Sequence, residues 1–201
     1  MRKIWRPVRI QFVMICMIMM GLSYSAEAGG WRTPVGLSYP AKFKDVVDIY
    51  ENNLQAEGYL VYSKSYWPIG MTVQPYFEFD NGLGIGGGIG PIAFIYGDRD
   101  FLDFPVNLAL RFAFFPKANV SPYVRAGGSY HIASGSYVKG SKPGLVGAFG
   151  IEFLRKRHVG FGIEVAYDAA EIEFEKKRSR TISTRENVQP YGLIVSIFAV
   201  F

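Results

Sequence analysis

Apolar residues recur at every second position over long stretches of this chain. Between residues 104 and 114, Phe104, Val106, Leu108, Leu110, Phe112 and Phe114 alternate with Pro105, Asn107, Ala109, Arg111 and Ala113. Residues 159–168 set Val159, Phe161, Ile163, Val165 and Tyr167 against Gly160, Gly162, Glu164, Ala166 and Asp168. Residues 69–80 set Ile69, Met71, Val73, Phe77 and Phe79 against Gly70, Thr72, Gln74, Tyr76, Glu78 and Asp80. A period of two is that of a strand whose faces meet different surroundings. Weaker copies cover 83–96, 120–133 and 144–154, where the second set is mostly glycine, alanine and serine with Arg125, His131 and Glu152. At roughly 3.3 Å per residue and a tilt near 40°, about ten residues span an apolar band of ~25 Å. The pattern predicts strands with one face toward lipid and the other toward a narrow interior.

The connections alternate as well. Asp80-Asn81-Gly82, Pro116-Lys117-Ala118-Asn119 and Arg155-Lys156-Arg157-His158 read as tight turns, whereas 97–103, 134–143 and 169–187 are longer and more polar. Short turns at one end and long loops at the other match a membrane barrel with its short turns in the periplasm. A final run over 189–201 makes seven strands, and an even number requires one more before Ile69. Residues 33–39 are the first choice, because Pro34-Val35-Gly36-Leu37-Ser38 matches the pattern of Pro68-Ile69-Gly70-Met71-Thr72, and 59–65 is the alternative. Between them 41–57 predicts a helix, with Phe43, Val46, Val47, Tyr50 and Leu54 on one face and Gly58 at its end, outside the membrane wall. Over 171–176 the apolar parity changes, since Ile172 and Phe174 are even where Val165 and Tyr167 are odd. A bulge near Ala169-Ala170 or an extension beyond the membrane accounts for it.

Ahead of the strands, Arg2, Lys3, Arg6 and Arg9 precede an apolar run over 12–22 and the small residues that end at Ala28. This reads as a secretory signal cleaved after Ala28, because the run is too short for a helix that needs about twenty residues to span. The mature barrel domain is then 29–201. The single Cys16 lies inside the signal, so neither a disulfide framework nor a thiolate metal site is expected. Four of the 22 Lys+Arg and one of the 17 Asp+Glu also fall there, leaving a nearly balanced charge that is no footprint for nucleic acid.

Tyr191, Leu193, Val195, Ile197, Ala199 and Phe201 alternate and close on phenylalanine, which resembles the C-terminal signal of outer-membrane barrels. With the signal sequence and the strand pattern, the mature chain is similar to the OmpA-like family of small barrels. That resemblance implies an all-β, eight-stranded antiparallel up-and-down barrel in the Gram-negative outer membrane. It also implies contact with outer-membrane lipid and recognition of the last strand by the insertion machinery.

Gly82-Leu83-Gly84-Ile85-Gly86-Gly87 has the spacing of a phosphate-binding loop, but the glycines continue at Gly88 and Gly90 with a period of two. They read as inward positions that make room for large side chains from the opposite wall. Glu78, Arg111, Arg125, Glu152 and Glu164 also fall on the inward face. A lipid-facing arginine would cost about 2–4 kcal/mol at mid-bilayer, so these charges are expected to neutralise one another as a plug near one depth in the periplasmic half. Ser129 and His131 share that face, with Asp168 at a corresponding level, and a nucleophile beside a base is the minimum for acyl transfer. The lipid A deacylases use His-x-Ser, whereas this chain has Ser-x-His, and two isolated histidines make no metal site. The sequence therefore predicts a monomeric barrel with a structural or surface-interaction role and neither catalysis nor cofactor. A small-solute pore is the second reading, and an outer-leaflet lipid hydrolase the third.

Overall fold

The computed structural model describes residues 30–61, 68–96, 99–179 and 181–201. The signal segment and most of the alternative first strand over 59–65 lie outside them. Eight antiparallel staves close into a barrel. The first consists of β1 (Gly30–Arg32) and β2 (Pro34–Pro40), and the second of β3 (Gly70–Val73) and β4 (Tyr76–Glu78). The third is β5 (Leu83–Ile89) with β6 (Ile92–Tyr96), followed by β7 (Arg99–Ala113) and β8 (Val120–Gly135). β10 (Gly144–Phe153), β11 (Gly160–Asp168) and β14 (Gly192–Val200) complete the wall, and pairing of β14 with β2 seals it. Because closure leaves no stave without neighbours, the backbone satisfies its own hydrogen bonds, as a hydrocarbon environment demands. The first stave is thus the Pro34 segment.

The outward positions are exposed and apolar: Leu108 66%, Leu110 56%, Ile163 48% and Ile197 57%. A belt of that size would be untenable in water, so the barrel spans a membrane. Among the described residues no helix is long and apolar enough to do so.

Three segments expected as long loops are instead strands that rise above the wall. β7 already begins at Arg99, β8 continues to Gly135, and β9 (Val138–Lys142), β12 (Glu171–Lys177) and β13 (Ser183–Val188) form a separate sheet in the order β13-β12-β9. The reason is visible in the residues near Asp168. Inward positions are even in β11, ending at Glu164, Ala166 and Asp168, and remain even through Ala170, Ile172 and Phe174. The strand therefore keeps its phase through Ala169-Ala170, and the irregularity in its pairing with β9 falls between Glu173 and Phe174. What inverts is polarity: below Asp168 the odd residues face lipid, above it Glu171, Glu173 and Glu175 face water while Ile172 and Phe174 face a new core.

The helix α1 (Phe43–Glu57) supplies that core. Phe43, Val46, Val47, Tyr50 and Leu54 are buried, and Gly58 ends the helix at φ 93° with its N–H bonded to the Gln55 carbonyl. The Tyr50 ring packs edge-on against Phe94 at 5.0 Å and Tyr137 at 4.9 Å, and Phe43 meets Phe101 at 5.7 Å. Buried Asn53 fastens the helix to the sheet: its Nδ2 donates to the Glu175 carbonyl at 2.6 Å, and its Oδ1 accepts from the Lys177 N–H at 2.7 Å. An amide side chain thus stands in for a missing strand along that stretch of β12. The helix closes the barrel at the end opposite the tight turns.

Candidate functional site

The polar residues of the lumen are stacked in three layers. In the lowest, Arg111 donates from Nη1 to Glu78 at 2.7 Å and approaches Glu152 Oε1 with Nη2 at 2.8 Å. Its guanidinium lies between two aromatic faces, 4.4 Å from the centre of the Tyr76 ring and 3.8 Å from that of Tyr123. The Tyr76 hydroxyl donates to Glu152 at 2.7 Å. Arg155 joins this layer, donating to Glu78 and lying 3.4 Å from Glu152, and Arg32 reaches Glu152 at 3.6 Å. Glu78, Arg111, Glu152 and Arg155 are all buried. Such a cluster survives in low dielectric only because each charge is met by opposite charge and hydrogen bonds.

The middle layer is built on Arg125. It donates from Nη2 to Glu164 at 2.8 Å and from Nη1 to Asn107 at 3.1 Å, while Gln74 reaches the same Glu164 at 3.4 Å and the Tyr123 hydroxyl donates to it at 2.9 Å. The charges therefore divide between two layers, where the sequence predicts a single depth, and Tyr123 joins them through its ring to Arg111 and its hydroxyl to Glu164. Gln74, Asn107 and Arg125 separate two small cavities, of about 20 Å³ below and 40 Å³ above. A water needs roughly 10–15 Å³, so each void has room for one to a few molecules and for no larger solute.

The upper layer contains Ser129, His131, Asp103 and Asp168, all buried. Ser129 donates to Asp168 Oδ2 at 2.7 Å, and His131 Nδ1 meets Asp103 at 2.6 Å. His131 Nε2 lies 3.7 Å from Asp168 Oδ2. Asp168 Oδ1 accepts the Ala170 N–H at 2.9 Å, and the His131 ring packs on Tyr191 at 4.9 Å. Ser129 thus gives its proton to a carboxylate rather than to the imidazole, and α1 lies over the layer. Among the described residues no group of three or more His, Cys, Asp or Glu is placed to hold a metal ion.

The sequence puts Arg155 in a turn, and the structure places its side chain inside. Leu154 explains the difference: with φ 57° it breaks the alternation that runs through Glu152, turns its own side chain outward, and swings Arg155 into the lumen. Nothing in the sequence marks that conformation, since glycine and asparagine are its usual residents. Tyr76 and Tyr123 are visible in the sequence as inward positions, and the pairing of a phenol with a carboxylate across the lumen is the signal that could have found them. The inward glycines also work differently from expectation. Tyr123 and Phe198 are register partners of Gly150 and Gly162, and each ring lies over its neighbour's missing side chain rather than reaching from the opposite wall, while Gly86 leaves room for the Cα and Cβ of its partner Tyr76. Of the C-terminal alternating set, Leu193, Val195, Ile197 and Phe201 are exposed on the outer face, whereas Tyr191 turns inward and donates to the Gly90 carbonyl at 3.0 Å.

No protein-family model matches the chain, and no curated protein matches it in sequence. Among solved structures, the chain is similar to the outer membrane protein OprG from Pseudomonas aeruginosa, with a TM-score of 0.57 and 13% identity over 87% of this chain and 95% of that one. It is also similar to Neisserial surface protein A, with a TM-score of 0.51 and 13% identity over 87% of this chain and 97% of that one. The fold is that of small eight-stranded outer-membrane barrels.

Proposed function

We propose that this protein is a monomeric, non-conducting barrel of the Gram-negative outer membrane, akin to the OmpA-like group, whose role is structural or surface-interacting rather than catalytic. The observation that carries the reading is the lumen: two buried ionic layers cross it, the voids beside the middle layer are about 20 and 40 Å³ among the described residues, and a helix covers the end away from the tight turns. A barrel filled this way has no room for a solute, and eight staves enclose little more than their own side chains. What remains for contact is the wall, which meets lipid, and the surface formed by α1, β9, β12 and β13. The hydrogen bond from Ser129 to Asp168 supports the absence of acyl-transfer chemistry.

Planar-bilayer recording of the refolded protein tests this. Baseline current is expected for the unaltered chain, with discrete conductance steps appearing only when the middle layer is removed by Arg125→Ala with Glu164→Ala. Steady single-channel openings in the unaltered protein would overturn the reading in favour of a small-solute pore.

A further inference from the structure

The upper layer sets two carboxylates against one imidazole. Asp103, His131 and Asp168 are all buried, the first two completely. His131 lies between the acids, with Nδ1 2.6 Å from Asp103 Oδ2 and Nε2 3.7 Å from Asp168 Oδ2. A neutral imidazole donates from one nitrogen only, whereas the imidazolium presents an N–H to each carboxylate. Because β10 runs between β8 and β11, the charged ring also ties together staves that are not neighbours. Across the cavity of about 40 Å³ that Asp168 lines, Arg125 and Glu164 neutralise one another at 2.8 Å and offer the trio no spare charge. His131 follows Asn119 by twelve residues, which at ~3.3 Å each and a 40° tilt is about 30 Å from the tight turns. The layer thus stands at the outer boundary of an apolar band of ~25 Å.

Each member of the trio adjoins the start of α1. Asp103 shares the inward face of β7 with Phe101, whose ring meets Phe43 at 5.7 Å. The His131 ring packs on Tyr191 at 4.9 Å, and Tyr191 meets Phe43 edge-on at 6.5 Å. Asp168 is the register partner of Gly192, where an added Cβ would come within 2.7 Å of the Lys42 side chain. The next residue, Leu193, accepts the Ala41 N–H at 2.8 Å. The other polar groups at the trio are turned to partners of their own, the Tyr191 phenol donating to the Gly90 carbonyl at 3.0 Å and Ser129 to Asp168 at 2.7 Å. The far end of the helix is held by different groups, Asn53 against β12 and Glu57 against Lys177 and Arg99. α1 is therefore docked at two ends, and only the first rests on the trio.

We infer that Asp103, His131 and Asp168 form a pH-operated anchor for the first two turns of α1, closed while His131 carries its proton and released when that proton is lost. With the proton, one positive ring sits between two carboxylates. Without it, two buried like charges remain with no counter-charge, and water admitted beneath the helix start relieves them. Stabilisation by a charged histidine is present at low pH and lost as pH rises, the opposite sense to that of a carboxylate such as Glu57. Asn53 and Glu57 keep the last turns in place, so the helix lifts from its N-terminal end. The Arg125 and Glu164 layer is untouched, so the anchor releases without opening the lumen, and the inference stands apart from the non-conducting reading.

Amide exchange of the refolded barrel in nanodiscs tests this, read by mass spectrometry from about pH 6 to about pH 10, short of the range where lysine loses its proton. The rates are corrected for the intrinsic pH dependence of exchange, and nitrogen chemical shifts of the His131 ring report its charge over the same range. As the ring loses its proton, exchange over 43–50 should rise at least tenfold with the same midpoint, while 51–57, β7 and β8 keep their protection. His131→Gln should show the raised exchange already at neutral pH and no further alkaline change. Asp103→Asn removes one carboxylate and should move both midpoints together to lower pH. Lys177→Arg, whose charge persists throughout, should leave the transition where it is. Helix exchange that stays flat while His131 titrates overturns the anchor, as does a ring still charged at about pH 10. An alkaline rise over 43–50 that persists in His131→Gln also overturns it. Should that variant fail to refold, midpoints that do not coincide in the unaltered chain and in Asp103→Asn decide against the anchor.

Discussion

Arg111 and Arg125 stand directly opposite one another as register partners on β7 and β8, yet their guanidinium groups part toward different ends of the lumen. Like charges in such a pair repel. Here the repulsion is offset because Arg111 turns down to Glu78 and Glu152 while Arg125 turns up to Asn107 and Glu164. Removing one partner from the upper pair should therefore be expensive. Arg125→Met leaves Glu164 with its charge and only neutral donors, at a cost of about 3–5 kcal/mol. Arg125→Met with Glu164→Gln should recover much of that. Urea unfolding of the refolded barrel, followed by tryptophan emission, reads both, and a double variant no more stable than the single one would refute the pairing.

Asn53 offers a test of how α1 is held. Its amide satisfies one carbonyl and one N–H of β12, so Asn53→Ala orphans two backbone groups under the helix, each worth about 1–3 kcal/mol when left buried without a partner. The expected result is faster amide exchange at Lys177 and through α1, with the exchange of β7 and β8 unaltered. Uniform acceleration across the wall would instead mean that helix and barrel unfold as one unit.

The strands are legible in the sequence because lipid outside and small or polar residues inside impose the alternation that a membrane barrel needs, as in Phe104 to Phe114. The inward face of Glu78, Arg111, Arg125, Glu152 and Glu164 can be read the same way. Their partners cannot. Arg155 enters through a backbone conformation at Leu154 that its sequence does not advertise, and Arg32 reaches Glu152 from a stave that pattern alone leaves ambiguous. The extension strands read as loops because the apolar parity changes at Glu171. That change marks the end of lipid, not the end of the strand.

Acid should loosen the cap before the barrel. Burial alone would raise the Glu57 carboxyl, but hydrogen bonds from Lys177, at 2.6 Å, and from Arg99, at 2.8 Å, outweigh it and hold the group below its ordinary value of 4.5. Glu175 is likewise lowered, chiefly by its hydrogen bond from Lys139. For a depressed carboxylate the stabilisation is fully present above the unfolded value and is lost as pH falls through the folded one. Protease accessibility of α1 should therefore rise below about pH 4.5 while heat-modifiability of the wall persists. Glu57→Gln should show much of that accessibility already at neutral pH and a flatter acid response. An unchanged acid profile in that variant would assign the transition to other groups.

Gly150 carries a sharp steric requirement on the inward face. It is the register partner of Tyr123, whose ring lies over it, and a Cβ at this position would come within 2.4 Å of the phenol carbon and oxygen. The same phenol stacks on Arg111 at 3.8 Å and donates to Glu164 at 2.9 Å, so it has no free direction in which to move. Gly150→Ala should then act on charges it never touches, by lifting Tyr123 from the arginine and from the carboxylate together. Overpacking of this kind costs about 1–3 kcal/mol. Tyr123→Leu, which removes the ring, loses the stacking and the hydrogen bond but frees the space above residue 150. Adding Gly150→Ala to it should therefore cost little more, a strong departure from additivity of the sort that contacting residues show. Unfolding free energies of the two single variants and the double variant measure it. If the alanine costs as much in the Tyr123→Leu background as in the unaltered chain, the tyrosine is not what the glycine accommodates, and the link between the two ionic layers must run elsewhere.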